Sequence, residues 1–244
     1  KSLHRVRELL VLLAFTVLPM MLIVIQPDLG TSLLFLPLFF GMAFVAGARV
    51  RHLLIILLVL VMLAAAAWFT PGVLKNYQKK RVLAFIDAER YSQTAAGYNS
   101  RQAVLAISAG GLKGTGWGKG VLNKRIPERH TDFIFPVMAE ETGFLGTAAF
   151  VGLYLLMLVC AYLVAVHTRD PLGRLLVTGI LILLGVQGCL HMAISLRLAP
   201  ITGLTLPLIS YGGSSLVSTM GAIGLVVNVA TSKSYVFASE ELRQ

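Results

Sequence analysis

The sequence predicts an all-α, polytopic membrane protein, and three observations lead to that fold class. Hydrophobic residues make up 57% of the 244 residues and charged residues only 13%, whereas a soluble domain carries about 25% charged residues. The mean hydropathy is +0.80. The apolar residues form long runs, and the basic residues gather in the turns between them. Such a chain cannot cover a globule with polar surface, so a bilayer is its natural solvent.

Six apolar runs are predicted to form membrane helices, because about 18 apolar residues or more can span the hydrocarbon core. The second run is short by this criterion. We expect residues 1–244 to form a single integral membrane domain around these helices. In chain order the runs are Leu9–Ile25, Ser32–Gly47, Leu53–Phe69, Phe144–Val166, Leu175–Ile194 and Leu206–Ala230.

The turns are assigned to the two sides of the membrane by their basic residues. Lysine and arginine cluster before the first run, between the second and third, between the fourth and fifth, and after the sixth. By the positive-inside rule these places are cytoplasmic, and so are both ends of this chain. The long connection of residues 71–132 then lies on the outer face, where its length exempts it from the rule. Its apolar stretches, Val82–Ile86 and Ala103–Ile107, predict short interfacial helices.

The net charge of +10 fits basic residues that meet anionic lipid headgroups. The sequence carries no RNA-binding or zinc-finger motif, so we do not expect a nucleic-acid partner. Cys160 and Cys189 lie inside apolar runs and do not indicate a disulfide framework. His191 has no second metal ligand at useful spacing, so we interpret it as a hydrogen-bonded core histidine.

The first motif of the outer connection is the glycine-rich segment Gly110–Gly120, which includes Lys113 and Lys119. Glycines allow backbone N–H groups to approach an anion closely, and lysines add positive charge, which suits a phosphate or diphosphate. The segment is neither a Walker A loop nor a dinucleotide fingerprint. The alternative interpretation is a flexible surface turn.

The second motif is Ile126–Phe135, in which titratable residues run directly into an apolar segment. Asp132 lies where the connection meets the membrane. Partial burial there raises the pKa of a carboxylate toward neutrality and makes it a candidate general base. The alternative is an ordinary helix N-terminus capped by Thr131 or Asp132.

Two adjacent acids, Glu140 and Glu141, follow at the start of a predicted membrane helix. Such acids are unfavourable in the membrane unless they are solvated or paired, which makes them functional candidates. The alternative is a pair of interfacial acids favoured by the helix dipole. The expected cationic partners are Lys113, Lys119, Arg125 and Arg129.

Small residues in Ser210–Ser215 interrupt the last apolar run, and permit either close helix packing or a local break that lines a cavity. Taken together, the residues indicate an outward-facing, basic and glycine-rich site with an acid at its rim. That site suits an amphipathic, anionic, lipid-linked ligand. These features alone leave both an enzyme and a transporter open.

Five motifs together resemble the SEDS family, for shape, elongation, division and sporulation, in the family's own order. The Pro-Glu-Arg-His-Thr-Asp-Phe-Ile-Phe run is more similar to the RodA branch than to the FtsW branch. Departures are the absence of the usual Asp-Pro in Asp87–Arg90, and Pro136 and Thr142 where alanine and leucine are common. The motifs are Gln26–Ser32, Gly110–Gly114, Ile126–Phe135, Ala139–Glu141 and Ile209–Ser215.

The resemblance implies about ten membrane helices in a complete family member, of which this chain matches the last six. We therefore expect this stretch alone to be an incomplete enzyme. The implied activity is that of an inverting peptidoglycan glycosyltransferase in the bacterial cytoplasmic membrane. It polymerises lipid II into β-1,4 glycan strands and supports cell shape, with elongation favoured over division.

The resemblance also implies roles for individual residues. Asp132 matches the family's essential aspartate and is expected to be the general base toward the 4-hydroxyl of the acceptor N-acetylglucosamine. Undecaprenyl diphosphate is the leaving group, and its charge must be stabilised by cations. Lys113, Lys119 and Arg129 are the candidates for that role. The further residues expected to line the substrate site are Gln102, His130, Thr131, Glu140, Glu141, Ser210, Tyr211, Gly212 and Gly213.

The implied partners are lipid II, the glycan linked to undecaprenyl diphosphate, and a class B penicillin-binding protein, a transpeptidase that activates the polymerase. A divalent cation, Mg²⁺ or Mn²⁺, could share the neutralisation of the leaving group, although the sequence shows no ligand set. The alternative functions are a flippase that moves lipid II across the membrane and a scaffold that only recruits a transpeptidase.

Overall fold

The computed structural model describes residues 6–26, 28–70, 75–87, 90–91 and 94–241. Several features of the sequence lie outside these ranges. They are the basic residues before Val6 and after Glu241, Pro27 of the first motif, and Ala88 and Glu89 of the Asp87–Arg90 departure.

The described residues form helices joined by loops and turns, as the sequence predicts. In chain order the helices are α1 (Val6–Ile25), α2 (Leu29–Val45), α3 (Val50–Phe69), α4 (Asn76–Ile86), α5 (Ala95–Gly110), α6 (Ile134–His167), α7 (Pro171–Ser195) and α8 (Gly213–Glu241), with a 3₁₀ turn at Asn123–Arg125 between α5 and α6.

Six of these helices correspond to the six predicted membrane runs. Five of them, α1, α3, α6, α7 and α8, are long and apolar enough to cross a bilayer. The sixth, α2, has 17 residues and is the short one that the sequence predicts. The polytopic membrane fold is therefore confirmed, and α4 and α5 confirm short helices within the 71–132 connection.

Two helix boundaries differ from the sequence prediction. Gly143, with φ 69° and ψ −169°, breaks α6 into two parts. The predicted run Phe144–Val166 corresponds to the second part, and the first part, which begins at Ile134, was not predicted. Helix α8 begins at Gly213 rather than Leu206. The segment before α8 is instead a turn, in which the Ser210 hydroxyl oxygen accepts a hydrogen bond from the N–H of Leu206 at 2.7 Å.

Helix α7 is the most enclosed of the five long membrane helices. In its most apolar stretch 28% of the residues are buried within the chain, against 6% for α1, α3 and α8. It packs against α2, α6, α8 and α5. The helices with little burial expose apolar side chains, which is expected for faces in contact with lipid.

A loop of residues 196–212 follows α7 and is fastened to the rest of the fold. His191 is fully buried, and its Nδ1 hydrogen-bonds the carbonyl of Leu204 at 2.7 Å, which confirms its interpretation as a core histidine. On the other side of the loop, Gly30 of α2 allows the backbone of Thr202 to approach closely. A Cβ at Gly30 would lie 2.2 Å from the carbonyl oxygen of Thr202. The loop is thereby held between α7 and α2.

Candidate active site

Asp132 is held in place by the residue that follows it. The Phe133 side chain is 2% exposed and packs into a cluster that joins α5, the 3₁₀ turn and α7. Phe133 is also the N-cap residue of α6 and makes no side-chain capping hydrogen bond. The alternative in which Thr131 or Asp132 caps α6 is therefore wrong, and the Asp132 carboxylate remains available for another role. The cluster consists of Ala103, Ala106, Ile126, Phe133 and Ile194.

The pKa of Asp132 is raised above its usual value of 3.8, as the sequence predicts. Burial is the largest cause, because it disfavours the charged form. The negative charges of Glu128 and Asp28 raise the pKa further, whereas the Arg81 guanidinium and a hydrogen bond from Thr131 lower it. A carboxylate with increased proton affinity is a better general base near neutral pH.

The turn before α8 fixes the backbone that precedes Asp132. The Ser210 hydroxyl donates to the carbonyl of Thr131 at 2.6 Å, and the N–H of Tyr211 donates to the carbonyl of His130 at 2.8 Å. Four predicted residues are thus joined next to Asp132, three of them through backbone groups and Ser210 through its hydroxyl. The Tyr211 side chain is 80% exposed and is free to meet a ligand.

A cavity of about 550 Å³ opens beside Asp132. Gly203 lines it, and a Cβ at Gly203 would lie 3.4 Å from the Asp132 Oδ2 atom. The walls contributed by α2, α7 and α8 are polar near the loop and apolar further along the helices. The polar residues are Asp28, Thr31, Gln187, Thr205, Ser214, Ser215 and Ser218, and the apolar ones include Leu34, Phe35, Leu38 and Leu183.

Asp28 is the acid of that cavity. It caps α2, accepting hydrogen bonds from the Thr31 N–H at 3.1 Å and the Thr31 hydroxyl at 2.6 Å. Opposite, the Gln187 side chain donates to the carbonyl of Thr205 at 2.9 Å. A polar rim above an apolar wall suits a ligand with a polar headgroup and a lipid tail.

The glycine-rich segment packs into the break of α6. Its Thr115 and Gly116 N–H groups donate to the carbonyls of Glu140 and Glu141 at 2.9 and 3.0 Å. Gly114 has φ +78°, and a Cβ there would lie 2.2 Å from the Glu141 carbonyl oxygen. The prediction that these N–H groups face an anion is therefore wrong for Thr115 and Gly116, because helix carbonyls occupy them.

Glu140 lies inside the fold rather than at the cavity. Its carboxylate is 1% exposed and accepts the backbone N–H groups of Val121, Leu122 and Asn123 at 2.8, 2.9 and 2.7 Å. Backbone amides, not the expected lysine and arginine side chains, are its partners. Glu140 thus holds the segment after the glycines against α6. Glu141 is half-buried, with the Asn123 side-chain amide at 3.5 Å.

The remaining predicted residues differ in burial and contacts. Lys113 and Lys119 are exposed. Arg129 is half-buried, and its Nε donates to the His130 ring at 3.0 Å. Gln102 is half-buried on α5, and its buried Oε1 has no hydrogen-bond partner in the structure. Gly212 and Gly213 lie at the start of α8.

Two charged residues near Asp132 were missed by the sequence analysis. Asp28 stands in the Gln26–Ser32 motif, which was used only for topology and resemblance. Arg81 belongs to α4, where the sequence predicts a helix but no role for its charge. Both act on the Asp132 pKa, although they are far from it in the sequence.

The described residues offer no ligand set for a divalent cation. Within the part of the chain that the structure describes, there is no group of three or more His, Cys, Asp or Glu residues able to hold a metal ion. Dependence on Mg²⁺ or Mn²⁺ stays a prediction, which an assay with and without a chelator would check.

The fold and the site define a class: polytopic helical membrane proteins with a base-like carboxylate beside an amphipathic cavity. The chain belongs to the FtsW/RodA/SpoVE family of cell cycle proteins, whose model matches residues 1–235.

Curated relatives and solved structures agree with that family. The chain is 34% identical over 216 residues to peptidoglycan glycosyltransferase MrdB of Escherichia coli, covering 88% of this chain and 58% of that protein. It is 38% identical over 207 residues to the probable peptidoglycan glycosyltransferase FtsW of a Geobacter species, covering 84% and 55%. The chain thus spans a little over half the length of these relatives.

Two solved structures are similar to the fold. One concerns the structural coordination of polymerization and crosslinking by a peptidoglycan synthase complex, with a TM-score of 0.77 and 36% identity over 95% of this chain and 64% of that one. The other is an aspartate-to-alanine mutant of the rod shape determining protein RodA of Thermus thermophilus. Its TM-score is 0.62, with 32% identity over 94% of this chain and 59% of that one.

Proposed function

We propose that this chain is the catalytic part of a peptidoglycan glycosyltransferase that polymerises lipid II into β-1,4 glycan strands. The observation that carries the proposal is Asp132, a half-buried carboxylate of raised pKa beside an amphipathic cavity. The cavity's polar rim and apolar wall match a lipid-linked sugar. The family and the names of the relatives support the same activity.

The chemistry is an inverting glycosyl transfer. Asp132 accepts the proton of the 4-hydroxyl of the acceptor N-acetylglucosamine, and the hydroxyl oxygen attacks the anomeric carbon of the donor sugar. The bond from that carbon to the diphosphate oxygen breaks, and its electron pair leaves with undecaprenyl diphosphate. The α-linked donor thereby becomes a β-1,4 linkage, and the proton remains on Asp132 until solvent removes it.

Positive charge must meet the leaving diphosphate, because its negative charge increases as the bond breaks. Lys113 and Lys119 are exposed in the outer connection, and Arg129 lies three residues before Asp132. The exposure of Lys113 and Lys119 allows them to approach a headgroup at the membrane surface. Stabilisation by these cations is part of the proposal.

We place the activity at the outer face of the bacterial cytoplasmic membrane, in support of cell shape and elongation. The basic turns and the alternating helices support that orientation. The proposed partner is a class B penicillin-binding protein, a transpeptidase. A similar solved structure is a peptidoglycan synthase complex that couples polymerization with crosslinking, which supports a partner of this kind.

The test is a lipid II polymerisation assay on the full-length protein with its transpeptidase partner, in the presence of moenomycin to silence polymerases of the other class. Asp132→Asn is expected to abolish glycan chains while lipid II still binds. The matched control is Asp87→Asn, which removes an exposed acid of the same outer connection and should retain polymerisation.

The competing functions give different results in the same preparation. A flippase would move labelled lipid II across vesicle membranes without forming polymer and would tolerate Asp132→Asn. A scaffold would support growth with Asp132→Ala. Either outcome would contradict the polymerase proposal.

A further inference from the structure

Next to its contacts with α6, the glycine-rich segment makes a tight turn that carries Trp117. The N–H of Lys119 donates to the carbonyl of Gly116 at 3.0 Å and closes the turn. Gly116 and Gly118, on either side of Trp117, have φ +101° and +72°, a region that glycine adopts at little cost. The Trp117 side chain is 86% exposed, so the turn presents a large aromatic ring outside the fold.

The segment that carries this turn is fastened to α6 where the second part of that helix begins. The carbonyls of Gly111 and Leu112 accept hydrogen bonds from the N–H groups of Phe144 and Leu145 at 2.8 and 3.1 Å. Phe144 and Leu145 are the first two residues after the break at Gly143. The turn therefore has a fixed place beside the outer end of the membrane-spanning part of α6.

Apolar side chains are exposed on both sides of this junction. Leu112 of the glycine-rich segment is exposed, and so are Phe144 and Leu145 of α6. The two α6 residues belong to a helix long and apolar enough to cross a bilayer, whose exposed side chains meet lipid. Leu112 and Trp117 thus extend a lipid-facing surface beyond the break of α6.

The charges of the segment also favour a phospholipid interface. Lys113 and Lys119 are exposed, and residues 110–125 include no aspartate or glutamate. A lysine at a bilayer surface covers apolar groups with its stem and keeps its charge among the headgroups. Tryptophan is enriched at the same level, because its ring is apolar and its N–H is polar. A tryptophan between two lysines is therefore the composition expected at a membrane interface.

We propose that the turn of residues 116–119 is embedded in the outer phospholipid leaflet, with Trp117 at the level of the headgroups. The Trp117 ring then lies about 5–10 Å inside the boundary between headgroups and acyl chains, the depth of an interfacial apolar face. The inference uses the orientation given in the proposed function, but not its chemistry.

An anchor at this place also bears on the position of Asp132. The first part of α6 runs from Ile134 to the break at Gly143, a rise of about 14 Å. Asp132 lies two residues before that helix. Because this short helix joins the anchored junction to Asp132, the anchor keeps the acid close to the level of lipid headgroups.

The test measures Trp117 fluorescence in the full-length protein, in nanodiscs of phosphatidylethanolamine and phosphatidylglycerol. The Trp117 signal is the difference between the wild type and Trp117→Phe, a mild change at so exposed a position. Lipids brominated near the glycerol end of their chains should remove most of that signal. Lipids brominated near the chain ends, and acrylamide in the water, should remove less of it.

Trp68→Phe provides a depth reference from the same chain. Trp68 lies one residue before the end of α3, and the Lys79 Nζ atom is 5.8 Å from its ring centroid. Its difference signal reports a tryptophan at the outer end of a membrane helix, so both tryptophans should be quenched most by bromine at the same depth. Thermal melting confirms that each variant is folded, and Trp117→Tyr replaces Trp117→Phe if that variant is not.

Quenching of the Trp117 signal by acrylamide but not by brominated lipid would overturn the inference, because the turn would then lie in water. Protection from both quenchers would overturn it as well, because another part of the protein would then cover the turn. With the transpeptidase partner bound, lipid quenching should be unchanged, and its loss would assign the turn to a protein interface instead. Since no turnover is measured, a protein that never polymerises lipid II can still confirm the anchor.

Discussion

The Glu140 carboxylate holds residues 121–123 against α6, so its removal should lower the local stability of that segment. The carboxylate is enclosed and accepts three backbone N–H groups, two on Oε1 and one on Oε2. Glu140→Ala removes all three hydrogen bonds, and a hydrogen bond to a charged group contributes about 1.5–3 kcal/mol. The expected loss of local stability is therefore about 3 kcal/mol or more.

Glu140→Gln provides a graded comparison. Its amide oxygen can still accept from Val121 and Leu122, but its NH₂ group then faces the N–H of Asn123, donor against donor. One unsatisfied donor predicts a loss of about 1–3 kcal/mol. Glu141→Gln is the matched control, because Glu141 makes only one long contact to the same segment.

The assay is amide hydrogen exchange of residues 121–123 in the full-length protein in detergent. A loss of about 3 kcal/mol corresponds to exchange roughly 100-fold faster, since each 1.4 kcal/mol is tenfold. We expect that acceleration in Glu140→Ala, a smaller one in Glu140→Gln and little change in Glu141→Gln. Unchanged exchange in Glu140→Ala, or equal acceleration in the Glu141 control, would refute the role of Glu140.

Three further predictions concern the same site. In the proposed function polymerisation requires deprotonated Asp132, so its rate should rise with pH through a midpoint above 3.8. Asp28→Asn removes a charge that raises this pKa, so the midpoint should fall, and a rise would contradict the assignment. Gly114→Ala should lower the melting temperature more than Gly118→Ala. Both positions have positive φ, but only at position 114 would the added Cβ lie 2.2 Å from a backbone oxygen. Equal melting temperatures would argue against that packing. Ser210→Ala leaves the Leu206 N–H and the Thr131 carbonyl without their shared partner, which costs about 1–3 kcal/mol. The variant should lower kcat in the polymerisation assay. An unchanged kcat would show that the Ser210 hydroxyl does not position the base.

Hydrophobic runs were sufficient to predict the membrane helices but not where two of them begin. The part of α6 before Gly143 was missed because Glu140 and Glu141 interrupt the apolar pattern. A hydropathy pattern cannot show that three backbone N–H groups satisfy one of those acids. The start of α8 was missed for the opposite reason, since Leu206–Gly212 is apolar but its turn is closed by the Ser210 hydroxyl.

The raised pKa of Asp132 was predictable from the sequence, whereas its neighbours in the fold were not. Asp132 stands out because a carboxylate at the end of a polar connection precedes an apolar run. Arg81, Asp28 and Gly203 meet it only through the packing of α4, α2 and the loop after α7. A glycine-rich sequence is likewise expected both where backbone approaches an anion and where it packs against helix carbonyls. Only the structure shows that Gly114 packs against the break of α6.

The most direct measurement of the central claim is the rate of the first glycosidic bond between two lipid II molecules, followed by rapid quenching in the full-length complex. A positioned general base contributes about 10²–10⁴-fold to such a step. Asp132→Asn should therefore slow bond formation by about that factor, with lipid II affinity nearly unchanged. A variant that forms the bond at the wild-type rate would contradict Asp132 as the base.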